Sequence, residues 1–459
     1  MVTQRIMAAW MLAALGLLVG EARAQVKLVA TEKVLGKDPA EMREGSEKVS
    51  QDSRHVACIV EADGKARVWV DGVAGKAYDG IEDGPTFSPD GNRVAYIARR
   101  GMETFVVVDG HEGKGYFGVD GPIVFSPDSK HVAYVARTIL RSMLVVDGVE
   151  GKPYEDVASP VYSADGRLAY GVVAGGGLFS GKRQSKVMVD GTAQGPYDDI
   201  AGITFSPDGK RLAYMVQAGE KWRVVVDGVA QKEYPEITSM VFSPDGKRLA
   251  YCATDGGKSR MVIDGKAGPE FQGNGTALFS PDSKHVAYVT ASDEGWRVVR
   301  DGVESEKYTG VEQPAFNPDG SKLAFGAITD KKWTMVVNGA AEKGYDALGL
   351  PTFSPDGRHL AYLAQQDEKW TLVVDGKEGK FYDWAGDGVP PAWSPDSQHV
   401  AFPAGDAEQD WVVVDGVDGP KYDTFGRGWV GVKFEESGRL YTIASQKGQI
   451  LRVEIEIRP

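Results

Sequence analysis

Met240-Val241-Phe242-Ser243-Pro244-Asp245-Gly246-Lys247-Arg248-Leu249-Ala250-Tyr251 is the stretch from which the fold can be read. An apolar strand runs into Phe242. Ser243-Pro244-Asp245-Gly246 then reads as a β-turn, because proline pre-sets φ and glycine tolerates a positive φ. A second strand follows over 248–253, then a polar hairpin over 254–258. A third strand, 259–263, ends at Asp264-Gly265, and a fourth carries Phe271. Four strands, here called A to D, fill the unit, and no helix has room.

The unit repeats. Phe205, Phe242, Phe279, Phe316 and Phe353 stand 37 residues apart, each followed by Ser-Pro-Asp or Asn-Pro-Asp. Phe87, Phe125, Tyr162 and Trp393 hold the same anchor position, and looser copies sit at Val49 and Phe434. Strand C closes on Asp-Gly at Asp71, Asp109, Asp147, Asp190, Asp227, Asp264, Asp301, Asp375 and Asp415, with Asn338-Gly339 as the variant. A fixed period of this length marks a repeat architecture. Strand C reads Val224-Val225-Val226 in one copy and Val412-Val413-Val414 in another. Strand B, as in 212–216, is likewise apolar on both faces. Continuous apolar strands are covered on both sides, which suits the blades of a propeller and not a sandwich with alternating polar positions. The expectation is an all-β chain, a β-propeller of four-stranded blades with 10–11 repeats.

The Phe-Ser-Pro-Asp-Gly-(Lys/Asn/Arg)-Arg-(Leu/Val)-Ala-Tyr pattern resembles the WD40-like repeat of the Tol-system periplasmic propeller protein. It is also similar to the propeller half of prolyl-oligopeptidase-type enzymes. The likeness spans roughly residues 45–445. It implies a fold and little about activity, since propellers host many functions. The Tol protein carries an α/β domain ahead of its propeller, whereas only about twenty residues separate the signal segment from the first repeat here. The Gly-x-Ser-x-Gly elbow of the peptidases is absent from the sequence.

Arg5, the apolar run Met7–Gly20 and Ala22-Arg23-Ala24 have the order of a secretory signal peptide cleaved before Gln25. The run is short for a membrane span, which needs about 20 apolar residues. The expected organisation is a signal peptide over 1–24, an N-terminal segment over 25–48 and repeats over 49–459. The expected location is the periplasm or the exterior. The net charge of −13 gives no attraction for phosphate backbones, so nucleic acid is a poor partner. Cys58 and Cys252 lie far apart in sequence and read as two small buried hydrophobes.

Chemistry-bearing residues follow the repeat. His55, His131, His285, His359 and His399 all fall six residues after an anchor, where other copies carry Arg93, Arg211, Arg248 or Lys322. That position reads as a solvated turn flank and not as a metal ligand. Asp90, Asp208 and Asp356 read as turn-capping residues. Trp222, Trp296, Trp333, Trp370 and Trp411 open strand C and read as packing between blades more than as a sugar platform. No catalytic residue, cofactor or metal is expected.

Eleven copies exceed the usual 4–8 blades of a ring. One continuous ring is expected, closed by the alternating segment Val26–Ala30 where the last copy lacks its fourth strand. Two adjoining rings with a seam between Tyr170 and Asp190 are the alternative. The A–B and C–D turns must share one face, and they are nearly uniform. Irregularity gathers on the opposite face. A glycine-rich B–C insertion holds Phe179, Lys182 and Arg183, and long D–A loops add Trp384, Asp387, Arg427 and Trp429. Varied loops on a rigid scaffold carry function, so these seven residues are the candidate partner-binding set. The leading function is non-enzymatic binding or scaffolding of a protein in the cell envelope. Carbohydrate or peptidoglycan binding, and a lyase- or lactonase-type enzyme with a site in the central channel, are the alternatives.

Overall fold

A computed structural model describes residues 26–39, 41–158, 160–174, 183–386, 388–425 and 431–458. The signal segment 1–24 and the candidate residues Phe179, Lys182, Asp387, Arg427 and Trp429 lie outside the described residues. The described chain is all strand and turn, without a helix, and folds as eleven antiparallel sheets arranged in a ring. The blades span 48–74, 80–112, 118–150, 156–197, 199–234, 236–271, 278–304, 315–345, 347–382 and 384–422, and the eleventh is built from both ends of the chain.

Blade 6 shows why these residues form these strands. Strand A is Glu236–Phe242, B is Leu249–Asp255, C is Lys258–Ile263 and D is Lys266–Phe271. The B–C hairpin is shorter than the polar run in the sequence suggests. Gly256 and Gly257 both take positive φ, the two-residue connection that matches strand twist, so the ladder extends to Asp255↔Lys258. The C–D turn has the same geometry, with Asp264 at φ 52° and Gly265 at 76°. Asp264 also accepts from the Leu249 N–H at 3.0 Å, which fastens the turn to strand B.

The A–B turn is a small hydrogen-bonded knot. Ser243 Oγ donates to Asp245 Oδ1 at 2.7 Å and accepts from the Arg248 N–H at 3.0 Å. The same Ser–Asp bond recurs at Ser126, Ser206, Ser280, Ser354 and Ser394. The hydroxyl is the leading cause that holds Asp128, Asp245 and Asp282 down at about 2.

Packing between blades uses the anchors. Phe205, Phe242, Phe279 and Phe316 are buried. The position six residues after the anchor is not a solvated flank. Arg248 pairs with Asp264 at 3.0 Å, donates to the Lys284 carbonyl of the next blade at 2.7 Å and lies over the Phe279 ring, 5.1 Å from its centre. Histidines hold the same place with Nδ1 at 2.6–2.7 Å from the C–D aspartate, as His131 does with Asp147 and His359 with Asp375. His285 and His359 stack on the next anchors, Phe316 and Trp393. A planar group that can stack and donate fits here, which explains the exchange of Arg with His.

One ring forms. A buried cluster joins blade 4 to blade 5 through Ala169, Val187, Phe205 and Tyr214, so the 170–190 region is no seam. Another joins blade 11 to blade 1 through Leu35, Ile443, Ile450, Val56, Cys58 and Trp69. The outer strand of blade 11 is Lys27–Lys37, which pairs antiparallel with Gln449–Arg458. It is longer than the alternation at 26–30 suggests. Cys58 and Cys252 are free and buried in two different clusters.

Candidate binding cleft on the loop face

The two ends of the blades differ. At the turn end the polar groups of each knot bond to their own blade or the next. At the loop end, an aspartate at the D–A junction clasps neighbouring blades: Asp79 accepts from Gly101 N at 2.6 Å and from Lys65 Nζ at 2.6 Å. Asp198 grips Gly219 N, Asp346 grips Asp367 N and Lys332, and Asp423 grips Lys447 N.

Beside these clasps, a cleft of about 600 Å³ crosses blades 8 to 11. Its walls are built from D–A junctions and the start of strand C. Glu312, Leu350, Trp370, Trp384, Asp410 and Phe425 are the side chains that give it character. Leu350 is 42 % exposed, and Trp370 and Trp384 are half-buried. Among the described residues that line it there is no Lys, Arg or His. Three smaller hollows of 320–370 Å³ lie between blades at the turn end, all over the same repeat positions, as products of the repeat.

Glu312 is half-buried, and burial raises its carboxyl above the usual carboxylate range. Its Oε2 is enclosed and has no hydrogen-bond partner among the described residues. The opposing strand B residue is Gly326; a Cβ there would lie 3.0 Å from that oxygen. Asp410 opens strand C of blade 10 and its Oδ2 accepts from Phe425 N at 2.8 Å.

The register corrects one reading of the sequence. Trp370 lies opposite Gln365 and Tyr382, and Trp222 lies opposite Gln217 and Tyr234. In blade 10 the residue so placed is Asp410, opposite Gly405 and Tyr422, and Trp411 is one step out of phase. Trp411 therefore turns to the opposite side and is buried between blades 9 and 10. Trp222, Trp333 and Trp370 pack against the clusters between blades, whereas Trp296 is 42 % exposed.

Two of the seven candidate residues are described, and the fold does not bring them together. Arg183 is on blade 4, exposed, 3.6 Å from Glu155. Trp384 is on blade 10, lines the cleft and also packs on the cluster between blades 10 and 11. The sequence reading missed Glu312, Asp410, Leu350 and Phe425. A partial signal existed: Glu312 stands four residues before its anchor, where other copies have Ala158, Ala201, Thr238, Gly275 and Gly349, although Asp83 holds the same place before Phe87.

Fold and repeat together define the class: the chain is a β-propeller of Phe-Ser-Pro-Asp-type repeats. No protein family matches the sequence. No curated protein matches it either. Among solved structures it is similar to the β-propeller domain of the Trilobed protease from Pyrococcus furiosus, at 15 % identity over 57 % of this chain and 94 % of that one, TM-score 0.29. It is also similar to TolB from Acinetobacter baumannii (13 % identity, 64 % and 81 % covered, TM-score 0.27). Hydrazine synthase from Kuenenia stuttgartiensis is a third (15 % identity, 56 % and 96 % covered, TM-score 0.29). Likeness at this level carries no activity or partner across. Among the described residues no helix is long and apolar enough to cross a membrane.

Proposed function

We propose that this chain is an exported, non-catalytic propeller that holds a protein partner in the cell envelope through its loop face. The observation that carries the reading is the contrast between the two ends of the blades. The turn end repeats one self-bonded knot. The loop end holds a cleft where Leu350, Trp370 and Trp384 line an open wall. Aromatic anchors in a concave site are the usual source of binding energy at an interface. Export rests on the order of Arg5, Met7–Gly20 and Ala22-Arg23-Ala24.

The test begins with the exported chain. Intact mass should place Gln25 at its start. Partners retained from envelope extract should then be purified and titrated calorimetrically against variants on each face. Leu350→Arg is expected to weaken binding at least about tenfold, and Val229→Arg, on the turn end and 63 % exposed, to leave it unchanged. The reverse result moves the site to the turn end. Two half-buried tryptophans in one cleft also favour a glycan ligand, and a peptidoglycan fragment that binds wild type and loses affinity in Trp370→Ala would select that reading.

A further inference from the structure

We infer that the cleft across blades 8 to 11 receives a positively charged group, an alkylammonium or a guanidinium, from its ligand; this rests on the reading of the cleft as a binding site. The repeat itself supplies the comparison. Glu312 N donates to the Gly326 carbonyl at 2.8 Å. The equivalent bonds are Ala158 N to Gly171, Gly349 N to Leu363 and Gly386 N to Pro403, each at 2.8–2.9 Å. Blades 2 and 3 also carry carboxylates opposite the matching strand B residue, but Asp83 is exposed and Asp120 pairs with Arg137 at 3.5 Å, whereas Glu312 is half-buried with no partner among the described residues. Gly326 clears its space where blade 9 has Leu363.

A second carboxylate faces the same cleft. Asp410 occupies the strand position that holds tryptophan in blades 5, 8 and 9. Two carboxylates from different blades thus share one cavity. The described lining holds no cation to answer them. The Glu312 carboxylate forms no hydrogen bond or ion pair among the described residues, and a half-buried charge without a partner works against folding. Trp370 and Trp384, both half-buried, complete the wall with aromatic rings, which attract cations electrostatically. A cation meets both demands: it neutralises the carboxylates and lies against the rings. A neutral sugar meets only the second, and an anion meets neither.

The probe is L-argininamide, titrated into the full chain at low salt and followed by tryptophan fluorescence and calorimetry, with N-acetyl-L-argininamide to separate side-chain recognition from recognition of a free α-amine. The control is citrulline amide acetylated on its α-amine, an isostere with no positive charge. Saturable binding of argininamide is expected, with this control at least about tenfold weaker. Glu312→Gln should weaken argininamide at least about fivefold, and Glu312→Gln with Asp410→Asn further still. The melting temperature of Glu312→Gln alone should hold or rise; a purely structural role for Glu312 would lower it. Absence of saturation, equal affinity for the control, or an unchanged affinity in Glu312→Gln overturns the inference. A partner that is lost in Leu350→Arg but indifferent to Glu312→Gln removes this inference and spares the proposed function. A partner that survives Leu350→Arg removes the function reading itself.

Discussion

Glu312 has a consequence for stability that can be measured without any ligand. Its carboxyl is raised by burial, so the folded chain binds that proton more readily than the unfolded chain does. The stability this group contributes is therefore greatest in acid and falls as pH rises through the unfolded and then the folded value. Glu312→Ala installs the residue that blade 4 has at Ala158. It should raise stability by on the order of 1 kcal/mol at neutral pH, and the gain should vanish near about pH 3.5, where both states are protonated. Denaturant unfolding at the two pH values checks this; a destabilised variant at neutral pH would show the carboxylate to be structural. The residue six after the anchor gives a second contrast. Arg248→Ala loses a bond to Asp264, one to the Lys284 carbonyl and the stacking on Phe279, and should cost about 1–2 kcal/mol. His285→Arg should stay within about 0.5 kcal/mol, because Arg300 already reaches the next blade at Gly320, 2.7 Å away. Both losses are read from thermal unfolding, and equal ones would contradict the assignment.

Within a blade, each turn is fixed by chemistry that the chain spells locally. Asp-Gly permits two successive residues at positive φ, and a serine two residues before an aspartate ties the A–B knot. The aspartates held low by those hydroxyls contribute to the acid limit of the fold, together with ion-paired carboxylates such as Glu112 and Asp406. A depressed folded value means the stability is present above the unfolded value and is lost as pH falls toward the folded one, here between about pH 4 and pH 2. Circular dichroism should show the ring unfolding within that window at low salt, and Ser243→Ala with Ser280→Ala should move the midpoint upward. An acid midpoint untouched by both changes would mean the knots contribute nothing. The anchor sits one layer deeper. Phe279 is 6 % exposed between blades 6 and 7, and Phe279→Ala should cost about 3–5 kcal/mol.

At the scale of the molecule, the strand Lys27–Lys37 decides whether the ring is shut. Tyr422 donates to Glu32 at 3.0 Å across 390 residues of sequence, and Ser445 donates to Asp38 at 2.8 Å across 407. Leu35 is the buried side chain of this strand and packs between blades 11 and 1. Leu35→Ala should therefore cost about 2–5 kcal/mol, more than a surface strand would predict. Calorimetry measures the loss, and solution scattering should report a wider, opened particle as the closure weakens. A loss under about 0.5 kcal/mol would mean the ring does not depend on this strand.

The amino-acid sequence by itself determined the unit of this protein. Phe-Ser-Pro-Asp-Gly and the Asp-Gly closing strand C specify turns through the conformations that proline, glycine and aspartate allow, and continuous valine runs specify strands buried on both faces. These are constraints between near neighbours in the chain, so they are legible in a linear text. The loop face could also be located from topology and loop length alone, because antiparallel strands alternate direction. What tertiary structure decided was everything that depends on register and on blades meeting. Trp411 stands four residues before Asp415 where Trp370 stands five before Asp375, and the register shows what that one residue does: it sends Trp411 to the other side of the sheet and leaves Asp410 in the cleft. Arg248 looks like a turn flank until the next blade brings Phe279 beneath it. Glu312 stands out once the small residues of blades 4 and 9 are superposed on it, and its cleft exists because four blades converge there. A single ring required the two ends of the chain to meet, a contact whose entropy cost no local pattern reveals and only packing of the whole circle repays.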